Sequence, residues 1–153
     1  MACILKISGT GFNVDEYLSK VVWDGYEVRT HHKGDKRGFF GRMGELEDSG
    51  FSICISEAAF EDFDAQQKDV ISFLKMYEQN FELLKSYAID YWHCLDFGLA
   101  TYPSNSFSKT YILLPELTSL AGGLGLDIWM SHYFTKNERY LKRKQKKHWP
   151  IRK

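Results

Sequence analysis

The sequence predicts an α+β fold with the ferredoxin-like split βαβ arrangement, in which a mostly antiparallel sheet carries its helices on one face. Segments that alternate apolar and polar residues are interspersed with segments of helical periodicity. Their predicted order is β-α-β-β-α-β, followed by a C-terminal α-β extension. Hydrophobic residues make up 44% of the 153 residues, which is enough for a packed core. We expect one domain over residues 1–135 and a basic extension over residues 136–153.

The N-terminal part predicts one strand and one helix. Residues 3–8, CILKIS, are rich in β-favouring side chains and are followed by a Gly-Thr-Gly break. Asn13 is suited to cap the next helix, and Glu16 occupies the capping-box position three residues later. Helical spacing of apolar residues predicts that this helix runs to about Trp23.

Two strands separated by a long loop are predicted next. Residues 25–32, GYEVRTHH, alternate as a strand with one solvated face, and residues 51–56, FSICIS, form a further strand. The intervening segment, residues 33–50, is rich in glycine and lacks periodicity. It is therefore expected to be a long excursion without regular structure.

A long amphipathic helix is the main feature of the middle of the chain. Asp64 is the predicted N-cap, with Gln67 at the capping-box position. Apolar residues then recur every three or four positions, which predicts a helix from Ala65 to about Tyr87. Residues 88–97, AIDYWHCLDF, alternate as the next strand.

The C-terminal part of the domain predicts a short helix between two strands. Residues 109–114, KTYILL, are suited to a short strand. Pro115 fits the first position of a helix, PELTSLAGG, which the glycine pair at its end should terminate. Residues 124–134, LGLDIWMSHYF, predict a final strand.

Charge is divided unevenly along the chain. Residues 136–153 carry nine basic and one acidic side chains, which leaves 11 basic and 19 acidic side chains in residues 1–135. A basic tail of this kind is typical of interaction with nucleic acid. For this tail, however, we predict a helix over residues 137–147 that packs on the acidic body or on a second copy of the chain, with Tyr140, Leu141 and Trp149 as apolar anchors.

Several segments resemble a bacterial family, the domain of unknown function 4279. The resemblance lies in ILKISGTGFNVDEYLSKV, HHKGD, AIDYWHCLDF and YILLPELTSLAGGLGLDIWMSHYF, which together span most of residues 3–134. It implies a small α+β domain similar to proteins encoded beside toxins as immunity factors. It implies no active site, and the basic tail lies outside it.

No combination of residues predicts catalysis, a cofactor or a metal ion. His31 and His32 are consecutive on a strand and so point to opposite faces, and the same divergence separates His93 from Cys94. The three cysteines are odd in number and lack a CxxC motif, which favours free thiols in a reducing cytoplasm. No segment has the length and apolarity of a membrane span or the basic start of an export signal.

Exposed carboxylates are the predicted contacts of a protein partner. Acidic surfaces steer association with basic enzymes, including nucleases. The leading prediction is a bacterial immunity protein whose partner is a toxin domain with a basic surface, bound through Glu45, Glu47, Asp48, Glu57, Glu61, Asp62 and Asp64. The alternative is a nucleic-acid-associated protein that contacts phosphates through Lys142, Arg143, Lys144, Lys146 and Lys147. For Tyr91 and Trp92, core packing is expected of at least one side chain.

Overall fold

The computed structural model describes residues 2–37, 44–101 and 110–134. Within these ranges the fold is α+β, as predicted. The strands are β1 (Cys3–Gly9), β2 (Val28–His31), β3 (Lys36–Arg37), β4 (Gly44–Glu45), β5 (Ser49–Ser56), β6 (Trp92–Thr101) and β7 (Asp127–Phe134). The helices are α1 (Val14–Leu18), α2 (Phe63–Met76), α3 (Glu78–Leu84) and α4 (Pro115–Gly123).

Five strands form an open, mostly antiparallel sheet in the order β2-β5-β1-β6-β7. The N-terminal strand β1 lies at its centre and pairs antiparallel with both β5 and β6. Strand β7 is parallel to β6, so the chain between them has to cross from one end of the sheet to the other, and α4 lies in this crossover. Strands β3 and β4 form a separate two-stranded sheet.

In the part of the chain that the structure describes, one hydrophobic core lies between the helices and one face of the sheet. Leu5 on β1 is directly opposite Ile53 on β5 and Leu95 on β6, and all three side chains are fully buried. The helices and the turn after α1 add large aromatic side chains, and Trp23 from that turn stacks on Phe73 of α2 with ring centroids 5.4 Å apart. Burying one such side chain contributes about 1.5–3 kcal/mol, so this layer dominates the stability of the domain.

The first helix begins where the sequence predicts but ends earlier. Asn13 Oδ1 accepts a hydrogen bond from the Glu16 backbone N–H at 3.2 Å. The helix stops at Leu18 rather than near Trp23, because Ser19 becomes the C-cap and its hydroxyl donates to the Glu16 carbonyl at 2.7 Å. The chain then turns inward, and Trp23 enters the core instead of continuing a helical face.

The prediction of one long helix over residues 65–87 is wrong. Two helices, α2 and α3, are separated at Tyr77, whose φ of −111° and ψ of 21° are not helical. The Tyr77 ring is buried in the core, and its hydroxyl donates to the Asp24 carbonyl at 2.9 Å. The start also differs, since Asp62 rather than Asp64 is the N-cap and accepts from the Ala65 N–H at 3.0 Å.

Four features elsewhere also differ from the prediction. The segment predicted as a loop over residues 33–50 contains the β3–β4 pair and the start of β5. Residues 110–114 form no strand, and β6 covers 92–101 instead of 88–97. Pro115 begins α4 as predicted, whereas the glycine pair forms its last turn. The predicted helix over residues 137–147 lies outside the described residues.

Candidate functional site

Among the described residues, no helix covers the second face of the five-stranded sheet. The buried apolar side chains of all four helices belong to one core cluster with alternate strand residues such as Leu5 and Ile7. Successive side chains on a strand point to opposite faces. Lys6 and Ser8 on β1, and Ser52 on β5, therefore lie on this open face, which is polar at its centre.

A buried carboxylate joins three strands at the middle of the open face. Asp96 on β6 accepts a hydrogen bond from Lys6 Nζ at 2.5 Å and another from Ser131 Oγ on β7 at 2.6 Å. Its side chain is only 7% exposed, whereas that of Lys6 is 36% exposed. A buried charge is tolerated only when it is paired and hydrogen-bonded, and both Asp96 oxygens meet this condition.

A second buried carboxylate lies under the β2 edge of the same face. Asp48 Oδ2 is 3.1 Å from His31 Nε2, with the carboxylate 8% and the imidazole 32% exposed. Burial opposes ionisation of Asp48, but the Ser8 hydroxyl and the His31 ring outweigh it and hold the pKa of the carboxyl below its usual value. The Ser8 hydroxyl is itself buried and makes no hydrogen bond of standard geometry.

A depression of about 250 Å³ separates these two charge pairs. Its lining residues come from four adjacent strands and are Lys6, Ile7, Ser8, His31, Phe51, Ser52 and Trp92. Gly50 lies between His31 and Ser8 in the sheet register. A Cβ at position 50 would be 2.2 Å from the Ile7 carbonyl oxygen, so only glycine permits this approach of β1 and β5.

Aromatic side chains flank the polar centre at one end of the open face. Trp92 and Trp129 are in edge-to-face contact, with centroids 4.6 Å apart, and Tyr91 contacts Trp92 at 5.2 Å. Tyr91 is 57% exposed, and neither it nor Trp92 belongs to the core cluster. The expectation of core packing for at least one of them is therefore wrong.

A second aromatic pair lies near the far end of β7. Phe60 and Tyr133 are stacked, with centroids 5.2 Å apart and ring planes within 12°. The Phe60 ring occupies the space above Gly98, where a Cβ would be 2.7 Å from Phe60 Cε1. Glycine at this position thus lets the segment before α2 lie against the sheet.

Six of the seven acidic residues predicted to contact a partner are exposed, in two groups, and the seventh is buried. Glu57, Glu61, Asp62 and Asp64 are all exposed around the start of α2, where a helix N-terminus favours negative charge. Glu45 and Glu47 are exposed in or beside the β3–β4 pair. Asp48 is the exception, because it is buried against His31 and offers no surface to a partner.

The predicted nucleic-acid contacts, Lys142, Arg143, Lys144, Lys146 and Lys147, lie outside the described residues. No helix in the described parts of the chain is long and apolar enough to cross a bilayer.

The described cysteine and histidine side chains do not come together as a nucleophilic or metal-binding site. Burial raises the pKa of Cys94 to about 11, against a smaller opposing effect of Lys6, and the pKa of buried Cys3 is also raised by burial. These thiols stay protonated at neutral pH and are poor nucleophiles. His31 and His32 diverge as predicted, toward Asp48 and Asp15 respectively. Within the described ranges, no group of three or more His, Cys, Asp or Glu side chains could hold a metal ion.

The open-face residues were missed from the sequence because their partners are distant along the chain. Lys6 and Asp96 are separated by 90 positions. The available signal was a charged residue in the interior of each strand, which requires a partner if that strand is central. Comparison of the chain with protein-family models, with curated proteins and with solved structures finds no match.

Proposed function

We propose that the chain is a non-enzymatic protein-binding domain, a bacterial cytoplasmic immunity protein that binds and neutralises a toxin. The observation that carries this proposal is the acidic turn, defined as residues 57–64. Glu57, Asp62 and Asp64 are exposed there and form no ion pair with any residue that the structure describes. Their charge is therefore available to a basic partner.

The acidic turn also contains an apolar element. Phe60 lies within it and stacks on Tyr133, which remains 48% exposed. Binding interfaces combine a central aromatic anchor with a polar rim, and the rim charges act mainly on the rate of association. The stacked pair surrounded by carboxylates has this composition and fits a basic toxin surface.

The proposal includes a ferredoxin-like arrangement of the sheet and membership of the family that the sequence resembles. Strands β2, β5, β1 and β6 are adjacent in that order with antiparallel neighbours, and β7 adds a fifth strand. This order supports the ferredoxin-like arrangement and, with it, membership of the domain of unknown function 4279 family. On this proposal, the β3–β4 pair with Glu45 and Glu47 supplies a second group of contacts.

The test is titration of the full chain with the product of the adjacent gene. We expect a tight complex whose association rate falls about tenfold or more at low salt in the double variant Glu57→Lys/Asp64→Lys, with a smaller effect at high salt. The matched control is Asp24→Lys/Glu78→Lys, since Asp24 is an exposed loop acid and Glu78 is also in the first turn of a helix.

Equal effects of the two double variants would show that the acidic turn is not the docking site, and absence of a complex would contradict the immunity function. Mobility shifts on nucleic acid that weaken steeply with salt, and that are lost on deletion of residues 136–153, would instead support the alternative.

A further inference from the structure

The depression on the open face presents hydrogen-bond donors to the solvent. Both of its charge pairs have the carboxylate beneath and the basic group above, since Asp96 and Asp48 are nearly buried while Lys6 and His31 are about one-third exposed. An ammonium carries three N–H donors, and Asp96 Oδ2 accepts one of those of Lys6. A molecule that enters the depression therefore meets the Lys6 ammonium and the His31 ring before it meets either carboxylate.

The floor of the depression carries two serine hydroxyls. Ser8 is 1% exposed, and its hydroxyl lies beside the buried Asp48 carboxylate, whose pKa it lowers. Ser52, on the neighbouring strand, adds a second hydroxyl to the same lining.

One wall of the depression is aromatic and held in position. Trp92 is half-buried, and its contacts with Trp129 and Tyr91 restrict the indole. A fixed aromatic wall favours a flat apolar group. The volume of about 250 Å³ is below the range of about 300–1,000 Å³ that is usual for drug-sized ligands, so the occupant is a single-ring molecule.

We propose that this depression is a binding site for a small planar carboxylate. The carboxylate oxygens accept hydrogen bonds from the N–H groups of Lys6 that do not face Asp96 and from the Ser52 hydroxyl, and the ring packs against Trp92. This site is separate from the acidic turn, because the two surfaces share no residue, and it can be tested whether or not a toxin partner is found.

The experiment follows backbone amide NMR signals of the full chain during titration with benzoate. Benzamide is the control for charge, and cyclohexanecarboxylate is the control for the flat ring. We expect saturable shifts at Ser8, His31 and Ser52, and binding of benzoate about tenfold tighter than of either control. Trp92→Leu and Ser52→Ala should each weaken benzoate binding several-fold, whereas Tyr133→Leu, at the other end of the sheet, should leave it unchanged.

Trp92 and Ser52 are substituted instead of Lys6, because removal of Lys6 would leave Asp96 buried without its cation and could prevent folding. The proposal is overturned if benzoate and benzamide bind equally well, or if Tyr133→Leu weakens binding as much as Trp92→Leu. It is also overturned if benzoate leaves the three amide signals unmoved, which is the result expected for binding to the basic tail alone.

Discussion

Asp48 links the stability of the domain to pH. Its burial opposes ionisation, but Ser8 and His31 more than compensate, so the folded-state pKa lies below the unfolded value of about 3.9. A carboxyl with a depressed folded pKa stabilises the protein fully above the unfolded value. That contribution is lost as the pH falls through the folded pKa. Stability from this residue is therefore constant near neutrality and decreases only in acid.

We predict that Asp48→Asn lowers the free energy of unfolding by about 1 kcal/mol at pH 7. The difference from the parent chain should shrink as the pH is lowered below about 4, because protonation removes the same charge from the parent. Urea denaturation at a series of pH values measures both quantities. A difference that stayed constant down to pH 2 would show that the Asp48 charge is not what stabilises the fold.

Helix α2 provides a direct test of which aspartate begins it. Asp62→Ala removes the side chain that accepts from the Ala65 N–H, so the free energy of unfolding should fall by about 1 kcal/mol. Asp64→Ala removes only a charge in the first turn of the helix and should lower the free energy of unfolding by about 0.3–0.5 kcal/mol. This loss should be smaller at high salt, because salt screens the interaction of the charge with the helix dipole. Chemical denaturation of the two variants separates these cases. A larger loss for Asp64→Ala than for Asp62→Ala would instead support the sequence-based assignment of Asp64 as the cap.

Local patterns predicted the starts of several strands and helices, but they did not predict where those elements break or end. The strand at residues 3–8, the cap at Asn13 and the helix start at Pro115 all depend on neighbouring residues, and all three are confirmed. The break at Tyr77 depends on a hydrogen bond to Asp24, 53 positions away, which periodicity does not contain. Helical spacing of apolar residues shows which side is buried but not whether the helix is continuous.

The candidate site was less predictable than the fold, because it depends on contacts between residues that are distant along the chain. Exposed acids such as Glu57 and Asp64 are visible in the sequence because charge at a helix start needs no distant partner. The depression on the open face exists only after β2, β5, β1 and β6 are aligned. Strand register, which decides that Lys6 and Ser8 share this face with His31, is a property of the assembled sheet.

The central position of β1 makes the domain dependent on pairings between distant parts of the chain. Its partners are β5 and β6, and the latter begins at Trp92. We predict that a fragment comprising residues 1–91 does not fold cooperatively, because Leu5 and Ile7 lose one neighbouring strand and β1 becomes an exposed edge. Circular dichroism and analytical ultracentrifugation would detect a disordered or aggregated fragment. A monomer with a sharp unfolding transition would contradict this prediction.

During synthesis, β1 is made before both of its partner strands, so its pairing in the sheet is completed late. About 90 further residues must be added before β6 is available, which takes roughly 5–20 s at ordinary rates of translation. Throughout that interval one hydrogen-bonding edge of an apolar strand remains without its partner. The nascent chain should therefore be a substrate for chaperones that hold extended hydrophobic segments, and slower translation before residue 92 should lower the yield of soluble protein.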